Sequence, residues 1–134
     1  MPPVRLLGRG FQLAHGEERH QLEAFGLEVL GAAGFLYEAV KVESTTRAGY
    51  FPGAMKMTTK LVAERRSGRL LGGQIVGQEG SAKRIDVLAT ALTVGMTVEQ
   101  MTALDLSYAP PFSPVWDPVL IAARKAAEAI ARHP

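Results

Sequence analysis

The 134-residue chain has no cysteine, which excludes disulfides, thiolate nucleophiles and thiolate metal sites within these residues. No apolar run approaches the ~20 residues that a membrane-spanning helix needs, so no membrane partner is expected. Positions 1–15 lack the apolar stretch and cleavage pattern of a secretory leader, and cytoplasmic residence is the expectation. Charge of one sign is also scarce. The net charge is +2, and the basic residues are scattered apart from Arg65, Arg66 and Arg69 beside a turn. A nucleic-acid binder presents a basic stripe, so no nucleic-acid partner is expected, and the arginine cluster reads as a solvated hairpin tip.

Catalytic motifs are equally sparse. Neither a GxGxxG nor a Walker-type phosphate loop occurs, and Gly8-Arg9-Gly10 lacks the third glycine and a preceding strand. His15, His20 and His133 lie toward the termini without the i, i+4 partner of a helical zinc site, so no metal is expected. Asp117 reads as a helix cap and Asp105 as a helix-end or turn residue. Asp86 reads as the exposed partner of Arg84 on the same helix.

With 47% hydrophobic and 21% charged residues, residues 1–134 fit one domain around one core. Val4 to Leu13 reads as an edge strand or irregular chain. Glu17 to Ala33 reads as one or two short helices ending near Gly34. Leu36 to Glu43 and Ala54 to Glu64 alternate apolar and polar residues, the pattern of half-buried antiparallel strands. Arg65-Arg66-Ser67-Gly68 is the turn between the second strand and a return strand over 69–77. Glycines at 72, 73 and 77 in that return strand predict close approach of another element. Ile85, Leu88, Ala89 and Leu92 predict the buried stripe of a helix from Ser81 to Val94, closed by Gly95. Thr97 to Gln100 is a capping box for a short helix to about Leu104. Asp117-Pro118 opens a final helix to about Ala131, whose alanines permit close approach inside the domain or between subunits. The sum is an α+β fold, an antiparallel sheet with helices packed on one face.

Two loops do not fit the role of simple connectors. The segment from Tyr108 to Trp116 holds Pro110, Pro111, Phe112 and Pro114, and prolines fix the backbone so that aromatic side chains are presented at low entropic cost. Tyr50 lies in a second turn-rich loop, RAGYFPG. Two readings of Tyr50 and Tyr108 stand side by side. They are fixed hydrogen-bond donors on separate rigid loops, or their rings fill the core while the hydroxyls reach the surface.

The segments RAGYFPGA (47–54), GRLLGGQIVGQEGSAKRIDVLATAL (68–92) and MTVEQMTALDLSYAPPFSPVWDPV (96–119) resemble the C-terminal dimerisation domain of FAD-dependent pyridine nucleotide–disulfide oxidoreductases. The similarity points to the coenzyme A-disulfide reductase, NADH oxidase and NADH peroxidase branch, and residues 1–30 form a divergent N-terminal extension. The resemblance implies a two-fold interface, hence a homodimer, shaped by Pro110, Pro111 and Phe112. Its apolar surface is expected from Phe112, Trp116, Met101 and the final alanine-rich helix, because aromatic residues and methionine are enriched in such interfaces. It also implies that Tyr50 and Tyr108 reach toward the flavin and redox cysteine of another subunit and assist reduction of a disulfide substrate. No cofactor would be bound by this chain itself, with FAD and NAD(P)H expected only in a flavoprotein partner. Where the glutathione reductase branch carries a His-x-His-Pro motif, this chain has Ser107-Tyr108-Ala109-Pro110-Pro111, so that acid–base role is not available. Two functions follow: a dimerisation module with no complete active site, or a subunit lending its tyrosines in trans.

Overall fold

Three strands account for the alternation in the first half of the described chain: β1 (Tyr37–Thr45), β2 (Lys56–Glu64) and β3 (Leu70–Val76). The structure is a computed structural model and describes residues 31–32 and 34–133. The expected strand over 4–13 and almost all of the expected helical segment over 17–33 lie outside the described residues. Gly31 and Ala32 are helical, and Gly34 follows in the left-handed conformation with φ +79°, so the chain turns where the sequence places a helix end.

The sheet order is β1-β2-β3, antiparallel throughout. Val40 faces Leu61, which faces Gly73; Val42 faces Thr59, which faces Ile75. Those two rows lie on the face that the helices cover. A register shift at Val62/Ala63 leaves Leu71 as an extra residue on β3, and both Leu70 and Leu71 are buried. Gly73 has no side chain for a packing reason. A Cβ there would meet Leu88 Cδ1 at 2.7 Å and Leu61 Cδ2 at 3.0 Å, so its absence lets a helix sit directly on the strand.

Helix α1 (Ser81–Val94) covers β3 and ends on Gly95 at φ +70°. Its buried face is Ser81, Arg84, Leu88 and Ala91. The expected stripe is thus rotated: Ala89 is exposed, Ile85 and Leu92 are half-buried, and a charged residue takes an inner position. Helix α2 (Val98–Thr102) starts with the capping box of Thr97 and Gln100. Its two inward residues, Val98 and Met101, belong to the core. Helix α3 (Pro118–Arg132) crosses β1 and β2, with Asp117 capping it by accepting from the Val119 N–H at 2.8 Å. Val119, Ala122, Ala123 and Ala126 are fully buried beneath it. Of the two uses foreseen for its alanines, close packing inside the domain is the one realised for these three.

Candidate functional site at the aromatic corner

Antiparallel connectivity gathers four chain segments at one end of the sheet. The β1–β2 connection (46–55) leaves β1 there, and β3 ends there and leads into the start of α1. The long connection before α3 (103–117) arrives at the same place. The opposite end holds the β2–β3 turn, where Val98 N–H donates to Gly68 O at 2.8 Å.

The 46–55 loop is built from its own hydrogen bonds. Thr46 N–H donates to Met55 O (2.8 Å), Met55 N–H to Thr46 Oγ1 (3.2 Å) and Phe51 N–H to Ala48 O (2.8 Å). Arg47 braces it from outside. Its guanidinium donates to Pro52 O at 3.3 Å, pairs with Glu79 at 2.6 Å and lies 6.0 Å from the Phe51 ring centroid. The proline-rich loop folds on a turn in which the Phe112 and Ser113 N–H groups both donate to Ala109 O, at 2.9 and 3.0 Å. The two loops are joined directly, because Ala48 N–H donates to Pro110 O at 3.1 Å.

Beneath both loops sits Arg84. Its Nε donates to Asp117 Oδ2 at 2.9 Å, while one terminal nitrogen, Nη2, donates to Thr46 O at 3.1 Å and Phe112 O at 3.0 Å. Arg84 and Asp117 are both buried. Asp117 is therefore doubly used, capping α3 with one oxygen and holding the guanidinium with the other. Asp86, expected as the partner of Arg84, instead pairs on the surface with Lys83 at 3.3 Å. Gly80, at φ +83°, precedes α1, and a Cβ on it would lie 3.0 Å from Arg84 Nη1.

The rings placed by this scaffold point outward. Tyr50 is 77% exposed, Tyr108 47%, Phe112 78% and Trp116 56%, so the tyrosine rings are not core fillers. Although 58 positions apart in sequence, Tyr50 and Tyr108 are neighbours close enough for one phenol to influence the other. Hydrogen bonding to Tyr50 is the main reason that the Tyr108 phenol is held above the ordinary tyrosine value; desolvation and the neighbouring phenol's charge add to it. Trp116 is stacked by Arg124 of α3, 4.3 Å from the ring centroid. Pro110 and Pro111 are half-buried. Met101 is elsewhere. It is fully buried in the core, so its expected place at a contact surface is withdrawn: a side chain with no exposed atoms has nothing to offer another polypeptide.

Beside the corner runs a groove of about 500 Å³, lined by Arg47, Gly80, Lys83, Ser107, Phe112 and Asp117 among others. Its two guanidiniums are already engaged, Arg47 with Glu79 and Arg84 with Asp117. The residue that sequence reasoning missed is Arg84. Its signal was present, since Arg84, Leu88 and Ala91 share the helical spacing of a buried face and Asp117 was already placed as a cap.

Residues 21–118 match the family model described as the pyridine nucleotide-disulphide oxidoreductase dimerisation domain. Over 83 residues the chain is 42% identical to the NAD(P)H coenzyme A polysulfide/persulfide reductase of Pyrococcus horikoshii, covering 62% of this chain and 18% of that protein. Over 94 residues it is 34% identical to the coenzyme A disulfide reductase of Staphylococcus epidermidis, covering 70% of this chain and 22% of that protein. The solved NAD-dependent persulfide reductase from A. fulgidus superposes with a TM-score of 0.75 at 43% identity, over 79% of this chain and 20% of that one. In each case the chain spans about a fifth of the relative's length. No helix among the described residues is long and apolar enough to cross a membrane. Fold and sequence therefore agree, and the chain belongs to the dimerisation-domain family of the pyridine nucleotide-disulphide oxidoreductases.

Proposed function

We propose that this chain works as an interface module whose aromatic corner packs on another polypeptide, a second copy of itself first of all, and that it has no complete active site of its own. The observation that carries this reading is the outward presentation of Tyr50, Tyr108, Phe112 and Trp116 on two loops tied together and anchored from below. Aromatic rings held rigid outside the core are what the centre of a protein interface uses, and about 800 Å² per partner is an ordinary size for one. Met101 has no direct part, and α3 contributes through its outer face, where Arg124 stacks on Trp116, rather than through its buried alanines.

A second reading is favoured by the tyrosine pair itself. Two exposed, neighbouring phenols can present hydroxyl protons to a group on a partner, such as a developing thiolate. On that reading the chain lends Tyr50 and Tyr108 in trans to a flavin-dependent disulfide reductase or NADH oxidase. FAD and NAD(P)H would be the partner's, supplying hydride and electron transfer there. Both guanidiniums of the groove beside the corner are already paired with carboxylates, which supports leaving the cofactors to the partner.

Sedimentation of the purified chain, with absorbance read across the flavin band, tests the first reading. A colourless dimer is the expected result. A monomer persisting at high micromolar concentration overturns it. For the second reading, adding the chain to a cysteine-bearing flavoprotein partner is expected to raise disulfide turnover, less so with Tyr108→Phe; unchanged turnover removes it.

A further inference from the structure

We propose that the buried Arg84–Asp117 pair is the positioning element of the aromatic corner, fixing the separation of the Tyr50 loop and the Tyr108 loop. The geometry is specific to a guanidinium. One planar group reaches a carboxylate at the head of α3 and carbonyls in two different loops, all within 3.1 Å, from an inner position on α1. Lysine has a single charged nitrogen and cannot present such a fork. Each of the three acceptors belongs to a different segment: Thr46 opens the Tyr50 loop, Phe112 closes the turn that begins at Ala109, and Asp117 starts α3. The guanidinium is thus the shared neighbour through which α1, α3 and both loops are held in register. Further contacts complete the seat. Gly80 leaves room for Nη1, and the Ser113 hydroxyl lies 3.4 Å from the same Asp117 oxygen that binds Arg84. The Ala48–Pro110 backbone bond is the only other direct tie between the loops given by the backbone hydrogen bonds outside helices and strands of the described residues. A single N–H···O bond can pivot, whereas a fork bound at both loops cannot.

The pair does not touch any reacting group and acts through the loops that carry Tyr50 and Tyr108. The inference rests on the reading of the corner as a contact surface only for its dimerisation readout. Its structural readout stands independently.

The test uses the full chain carrying Tyr37→Phe, so that only the two corner tyrosines titrate. Tyrosinate absorbance is followed against pH in this parent and in the double variant Arg84→Met with Asp117→Ser. Serine keeps the cap of α3, and removing both charges together avoids stranding one of them in the interior. The double variant is expected to fold with unchanged far-ultraviolet circular dichroism. Its Tyr108 is expected to titrate lower, toward ordinary tyrosine, and its dimer to dissociate about tenfold more readily. Arg84→Lys, which keeps a charge beside Asp117 and loses the fork, is expected to move both readouts in the same direction by less. Folded variants that retain the parent's Tyr108 titration overturn the positioning role. Phe112→Ala separates the two failures: if it weakens the dimer while the Arg84 variants change nothing, the contact surface stands and the positioning role falls. If the Arg84 variants shift Tyr108 but neither they nor Phe112→Ala alter association, the positioning role stands and the contact surface falls.

Discussion

Leu61 and Phe112 are both large apolar side chains, and they have opposite surroundings. Leu61 lies at the centre of the sheet between Val40 and Gly73, fully buried beneath Leu88. Phe112 sits on a loop whose backbone is engaged by Arg84, and most of its surface is open to solvent. In the first region, side chains determine where the backbone goes: alternating residues and helical stripes collapse together because burial removes apolar surface from water. In the second, backbone hydrogen bonds and prolines determine where the side chains go, and they hold rings away from the core. A buried ion pair supports the second region although such pairs add little net stability, which fits a role in fixing one arrangement.

Three substitutions separate the regions. Leu61→Ala removes a core side chain under close-packed neighbours and is expected to cost ~2–5 kcal/mol in denaturant unfolding. Association of the molecules still folded should be unaffected. Phe112→Ala should reverse that pattern, leaving unfolding within ~0.5 kcal/mol of the parent. Its dimer, measured by sedimentation, should weaken by about 2 kcal/mol or more. Equal losses of folding stability at the two sites would erase the distinction. The smallest effect belongs to Tyr50→Phe, read as unfolding against pH. Tyr108 holds its proton more tightly folded than unfolded, so the pair's contribution is complete below the ordinary tyrosine value of about 10. It is lost as pH rises through the raised folded value. The parent and Tyr50→Phe should therefore converge in stability at high pH, and a difference that grows with pH would contradict the raised Tyr108 value.

The capping box at Thr97, the Asp117 cap, the Gly95 helix end, the β2–β3 turn at Gly68 and the alternation of β1 and β2 were legible because each is a local pattern with a local cause. Met101 was misplaced for a related reason. Methionine suits both interfaces and cores, and only the packing of α2 against α3 and the sheet chooses between them. Arg84 was misread because the sequence offers Asp86 two positions away, and residues at i and i+2 on a helix point in different directions.

By itself, the sequence determined the element order, the caps, the lack of thiol chemistry and the presence of two rigid aromatic loops, since these follow from residue type and near-neighbour spacing. Only the tertiary structure decided that Tyr50 and Tyr108 are neighbours, that Arg84 serves both loops and that α3 keeps Ala122, Ala123 and Ala126 inside. Those outcomes depend on which ends of strands and helices meet in space, and contacts between residues 33 and 58 positions apart are set by the fold as a whole.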